Sequence, residues 1–92
     1  MTKAEIVEKV VTMTGVSRKE SSAVVEAFMD VVKNSLIEKN NVYLRGFGTF
    51  TVKHRAAKTA RNIQKNTTVV IEPHDYPGFK PAKSFIEKMK EA

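Results

Sequence analysis

The chain has 92 residues, 16 Lys and Arg against 10 Asp and Glu, and a formal net charge of +6, with a pI near 9.7: one small basic domain, near the lower limit of what a single core stabilises alone. It contains no cysteine, which excludes disulfide scaffolds and Cys-based zinc sites and is compatible with a reducing compartment. No apolar run approaches the roughly 18 residues of a membrane span, the mean hydropathy is −0.32, and Met1-Thr2-Lys3-Ala4-Glu5 lacks the apolar stretch of a signal peptide, so a soluble intracellular domain is expected.

The first forty residues read as two helices. Thr2-Lys3-Ala4-Glu5 and Ser17-Arg18-Lys19-Glu20 each fit the capping-box pattern, in which the ends of the motif satisfy orphan backbone N–H groups. Ile6, Val7, Val10 and Met13 follow the first cap at helical spacing, and Thr14-Gly15 supplies a stop. The second helix is expected from Arg18 to Glu38, ending at Asn40-Asn41. Its apolar residues Val24, Val25, Ala27, Phe28, Met29, Val31, Val32 and Leu36 occupy an arc of roughly 200°, about twice the stripe an ordinary surface helix needs. An arc that wide serves its own core and a second surface, which points to a subunit interface.

The period then changes. Val42-Tyr43-Leu44 reads as a short strand, Gly46-Phe47-Gly48 interrupts it, and Thr49-Phe50-Thr51-Val52-Lys53 resumes with β-favouring residues. Thr67 to Glu72 is the returning strand, with Asn66 as a turn residue tolerant of positive φ. Pro73, Pro77 and Pro81 punctuate the exit, and Lys83 to Lys90 forms a last helix with Phe85, Ile86 and Met89 as its apolar face.

The segment from His54 to Thr67 stands apart. Its apolar content is the small Ala56, Ala57 and Ala60 plus one large side chain, Ile63, too little to make a core, so it reads as a disordered loop or as a projecting hairpin that orders on a partner. Eight extended residues per strand would reach roughly 25 Å. Between Lys39 and Ile71 stand seven basic residues (Lys39, Arg45, Lys53, Arg55, Lys58, Arg61 and Lys65) and no acidic one, so this third of the chain carries all the excess positive charge. Such a run points to a polyanion, nucleic acid before an anionic membrane, because no amphipathic helical pattern accompanies it. With the arm removed, fewer residues remain than a lone core needs, and dimerisation is the expected remedy.

Three motifs in order, Gly46-Phe47-Gly48-Thr49-Phe50, Arg55-Ala56-Ala57-Lys58-Thr59-Ala60-Arg61-Asn62 and Pro77-Gly78-Phe79-Lys80-Pro81-Ala82-Lys83, make the chain resemble the bacterial HU and integration host factor family over essentially its whole length. The resemblance implies an α+β fold: two N-terminal helices, a three-stranded antiparallel sheet with a long β-hairpin arm, and a short C-terminal helix, in an intertwined dimer. It implies one domain over 1–92, with 1–40 helical and dimerising, 41–80 the sheet with its arm at about 54–68, and 81–92 the last helix. The two arms of such a dimer enter the DNA minor groove and bend the duplex. The expected DNA-binding residues are Lys3, Gly46, Gly48, Thr49, Lys53, Arg55, Lys58, Arg61, Asn62, Ile63, Gln64, Lys65, Lys80 and Lys83. Arg55, Lys58 and Arg61 would meet the groove and its phosphates, and Lys3, Lys53, Lys80 and Lys83 the flanking phosphates. Asn62 and Gln64 can hydrogen-bond minor-groove acceptors. The dimer interface is expected at Phe28, Val32, Leu36, Leu44, Phe47, Phe50 and Phe79. The sequence departs from the family where a wedging proline is usual: Ile63 stands there, apolar like other wedge residues but without the rigid ring. Ala60, Asn66 and Ala82 replace family glycines, and acidic Asp75 lies where a basic residue is common.

Other classes fit less well. Arg45-Gly46-Phe47-Gly48 matches the first half of an RNA-binding RNP1 motif, but Thr49 stands where an aromatic belongs and two helices precede the first strand. As a helix-turn-helix reader the second helix would present three basic and four acidic residues and a wide apolar arc to DNA, which suits packing and not readout. No P-loop, nucleophile elbow or zinc-protease motif is present, and His54 and His74 are isolated, so neither an enzyme nor a metal or cofactor site is expected. A purely protein-binding module would not need an acid-free basic arm. The expected function is an architectural protein of the bacterial cytoplasm and nucleoid that binds double-stranded DNA as a homodimer with little sequence preference. The alternative is one subunit of a heterodimer that bends selected sites through their deformability.

Overall fold

A computed structural model describes residues 1–56, 58–62, 67–71 and 73–92, with the backbone at 58–62 and 67–71. The elements run α1 (Lys3–Thr14), α2 (Arg18–Ile37), β1 (Val42–Leu44), β2 (Gly48–Arg55), β3 (Lys58–Asn62), β4 (Thr67–Ile71), β5 (His74–Pro81) and α3 (Lys83–Glu91). The chain divides into two compact units, Met1–Asn34 and Ser35–Ala92.

In the first unit both caps form as the pattern predicts. Thr2 Oγ1 accepts from the Glu5 N–H at 3.3 Å, and Ser17 Oγ accepts from the Glu20 N–H at 3.2 Å. Gly15 ends α1 at φ 75° and donates to the Val11 carbonyl at 2.9 Å, the left-handed closure that a residue without Cβ makes freely. Val7 and Val32 are the buried hydrophobic residues among those described, together with Ser21, whose hydroxyl donates to the Val16 carbonyl. Val24 and Val31 on α2 remain 64% and 66% exposed, and Phe28 46%.

In the second unit α2 closes with paired bonds, Lys39 N–H to Leu36 O and Asn40 N–H to Ser35 O, the Schellman pattern. The left-handed residue is Lys39, at φ 68°, and not either of the asparagines expected to end the helix. For a residue with a Cβ that conformation costs about 1–2 kcal/mol. Asn41 instead extends the sheet: its Oδ1 accepts from the Val52 N–H at 3.0 Å.

The three-stranded sheet has the order β1-β2-β5, both pairs antiparallel, and β3 and β4 form a separate antiparallel ribbon running from Lys58↔Ile71 to Asn62↔Thr67. The expected fold class holds. The expected reading of 73–81 as a proline-punctuated exit does not: His74–Pro81 is a full strand paired with Gly48–Arg55. The Val52 N–H points to Asn41, on the β1 side, so the Val52↔Pro77 pair exchanges no ladder bonds. The Pro77 nitrogen therefore points out of the sheet edge, as does that of Pro81 four residues on, and neither proline removes a ladder donor. Within the arm expected at about 54–68, the described ribbon is 58–62 paired with 67–71, and His54 and Arg55 are still in the main sheet.

The register sorts side chains onto two faces. Val42, Leu44, Phe50, Val52, Phe79 and Pro77 share one. Phe50 and Phe79 meet there with ring centroids 4.9 Å apart, and Phe47 and Phe85 complete the cluster, their rings stacked at 5.7 Å. Phe47 is nonetheless 45% exposed.

Candidate nucleic-acid interface

The opposite sheet face is polar and cationic. Register places Tyr43, Thr49 and Lys80 in one row, Thr51 and Gly78 in the next, then Lys53 beside Tyr76 and Arg55 beside His74. Two of the basic side chains have a local reason for their position. The Arg55 guanidinium lies over the Tyr76 ring, 4.5 Å from its centroid, a cation–π contact that orients the group while leaving its donors free. The Lys53 stem runs across Gly78, where a Cβ would lie 2.8 Å from Lys53 Cε. Gly78 thus lets an exposed lysine lie flat on the sheet.

At the end of the sheet away from the ribbon, Arg45, Gly46, Gly48, Thr49, Lys80 and Lys83 line a shallow groove with Tyr43, Pro81 and Ala82. Its floor follows from two glycines. The turn Leu44–Phe47, closed by the Phe47 N–H on the Leu44 carbonyl, puts Gly46 at φ 80°, the third turn position that demands positive φ. Gly48 is buried, with the Phe79 ring and the Lys80 carbonyl 2.5 and 2.6 Å from where its Cβ would be, so only a hydrogen fits. The Ala82 N–H donates to the Phe47 carbonyl at 2.9 Å and joins the start of α3 to that turn. Ala82 offers no side-chain cap, and the first turn of α3 has no acidic residue, so the positive end of the helix is uncompensated on the groove's side.

Of the residues expected to contact DNA, Gly46, Gly48, Thr49, Lys80 and Lys83 come together in this groove, and Lys53 and Arg55 continue the same sheet face. Lys3 lies in the first unit, where its ammonium pairs with Glu26. Lys58, Arg61 and Asn62 are on β3, and Ile63, Gln64 and Lys65 lie outside the described residues, as does Asn66. Two members were missed: Arg45, whose signal was its place beside the turn glycine, and Tyr76, which holds Arg55 and had no local signal. Of the expected interface residues, Leu44, Phe47, Phe50 and Phe79 are on the aromatic side of the sheet, Phe28 is half-exposed on α2, Leu36 is partly buried and Val32 is already buried within the chain.

Acidic Asp75 is not on the cationic face. It opposes His54 across β2 and β5, accepts from His54 Nδ1 at 2.8 Å and pairs with Lys39 Nζ at 2.5 Å. Hydrogen bonds from Lys39 first and His54 second hold its carboxyl below the ordinary carboxylate range. The acid is thus compensated within the chain.

Both the sequence and the fold match known proteins. The family model described as bacterial DNA-binding protein matches residues 1–90. The SPbeta prophage-derived DNA-binding protein HU 2 of Bacillus subtilis is 39% identical over 90 residues, covering 98% of each chain. Integration host factor subunit alpha of a Marinomonas species is 34% identical over 91 residues, covering 99% of this chain and 93% of that protein. The HU of an Anabaena HU–DNA cocrystal structure superposes with a TM-score of 0.93 at 30% identity over 100% of both chains. The family match over residues 1–90 and relatives more than 30% identical along nearly the whole chain place it in the HU and integration host factor family of bacterial DNA-binding proteins.

Proposed function

We propose that two copies of this chain form a homodimer that binds double-stranded DNA with little sequence preference and bends it, in the bacterial cytoplasm and nucleoid. The observation that carries the reading is the two-sided sheet. Thr49, Lys53, Arg55 and Lys80 share one face beside the groove of Arg45 and Lys83, and the phenylalanines occupy the other. Body cations neutralise phosphates and release counterions. The ribbon then carries Lys58 and Arg61 into the minor groove, with Ile63 as the wedge that unstacks a base step. Membership of a family that includes an HU solved with DNA supports the DNA partner. Half-exposed Phe28 and Phe47 and the bare Val24 and Val31 support a second subunit, since so much apolar surface is unusual on a monomer.

The test is duplex affinity over a salt series, with donor and acceptor dyes on the DNA ends. The expected slope is about −0.9 per phosphate neutralised, summed over several contacts, with end-to-end shortening. Arg45→Ala and Lys80→Ala should each make the slope shallower by about one; unchanged slopes would put the phosphates elsewhere. Ile63→Ala should lose bend before it loses affinity, and equal losses would make Ile63 an anchor instead of a wedge. Similarity to an integration host factor subunit favours one second reading, a heterodimer selective for deformable sites. It predicts that the pure chain binds DNA poorly and that one duplex is preferred strongly over others.

A further inference from the structure

Where β2 and β5 leave the main sheet toward the ribbon, one carboxylate joins three segments. Asp75 Oδ1 accepts from His54 Nδ1, across the strand pair, and its Oδ2 meets Lys39 Nζ. His54↔Asp75 is the next-to-last pair before the sheet ends at Arg55↔His74. Lys39 belongs to the turn that closes α2 and sits there at φ 68°, a conformation suited to glycine. A lysine held in that position is explained by what its side chain reaches. The neutral Nδ1–H tautomer of His54 can donate, as the imidazolium can, so the junction does not require a charged ring.

We infer that Asp75 is a positioning residue for the arm: through Lys39 and His54 it fastens the roots of both arm strands to the end of α2, and so sets the direction in which the ribbon leaves the sheet. Its effect on DNA rests on the DNA-bending reading above; its effect on the free protein does not. The competing role is that of a plain charge, an acid that lowers the positive field. The two roles differ in sign. As charges alone, Asp75→Asn should strengthen DNA binding and Lys39→Gly should weaken it. As one junction, both should weaken binding and broaden the distribution of bend, because an unfastened arm must be ordered by the DNA.

The experiment compares Asp75→Asn, Lys39→Gly, their double variant and Lys39→Arg with the wild type. Dye-labelled duplex reports affinity and bend, and backbone relaxation of the free protein reports order at His54, Arg55, His74 and Tyr76. Each single variant should weaken binding by about two- to fivefold, the range of an exposed ion pair. The double variant should be no worse than either single one, as expected of a shared contact. Order should fall at the four positions in the Asp75→Asn and Lys39→Gly variants, and Lys39→Arg should keep both readouts near those of the wild type. Tighter binding by Asp75→Asn, additive losses, or unchanged order at the arm root would overturn the inference. A wild type that fails to bind duplex would instead remove the DNA reading, and the relaxation data would still decide the junction.

Discussion

A β-carbon on Gly48 would collide with the Phe79 ring and the Lys80 carbonyl, whereas one on Gly46 meets nothing within 4 Å and is penalised only by a φ of 80°. The two glycines therefore fail differently when substituted. Gly48→Ala should cost about 1–3 kcal/mol by overpacking and should shift the Phe47 and Phe79 ring resonances. Gly46→Ala should cost about 1–2 kcal/mol with those resonances unmoved, and Gly46→Asn less, because asparagine tolerates the left-handed region. Denaturant melts with aromatic NMR on each variant separate the cases. Asp75 makes a third residue-scale prediction. Its carboxyl is held low in the folded chain by Lys39 and His54, so the stabilisation is present at neutral pH and is lost as pH falls through the depressed value. The difference in melting temperature between wild type and Asp75→Asn should shrink as pH falls below about 4, the unfolded carboxylate range. A difference that stays constant down to about pH 2 would assign it to another group. Phosphate contacts by the glycine backbone and steric need are compatible at these positions, but the steric need alone explains why Gly48 is a glycine.

At the scale of elements, what is local was legible and what depends on neighbours was not. Thr2 and Ser17 announce their helices because a capping hydroxyl bonds within three residues. Gly46 announces the β1–β2 turn for the same reason. The strand at 74–81 was hidden by Pro77 and Pro81, whose harmlessness follows only from which side of β5 faces β2. The expected end of α2, at Glu38, lies one residue beyond the observed Ile37, and the left-handed residue is not one of the asparagines usual there but Lys39, which reaches across to Asp75. Tyr76 under Arg55 needed the register. The start of α3 offers an element-scale test. Ala82 lacks a capping side chain, so Ala82→Ser should raise stability by about 0.5–1 kcal/mol and leave DNA affinity nearly unchanged. Ala82→Asp should cap as well but put an anion among Arg45, Lys80 and Lys83, giving a more stable protein that binds duplex less tightly. If both variants bind alike, the groove is not a phosphate site.

At the scale of the molecule, two faces of the same chain await partners of opposite chemistry. Val7 and Val32 are a small buried set among the described residues, against a long series of exposed apolar side chains that includes Phe28 and Phe47. On the homodimer reading, folding and self-association are one equilibrium, and the melting temperature should rise with protein concentration. Phe28→Lys tests this directly. In a monomer, a half-exposed residue changed to lysine shifts stability by only about 0.5 kcal/mol; in a dimer it should abolish association and the concentration dependence together, as seen by sedimentation. The sheet edges bear on a different hazard. β1 is three residues long, and β5 turns the imino nitrogens of Pro77 and Pro81 outward, so neither edge offers a run of free N–H groups to a strand from another molecule. A protein that packs side by side along a polymer raises its own local concentration far above that of the surrounding solution. Edges of this kind let it crowd there without sheets fusing into fibrils.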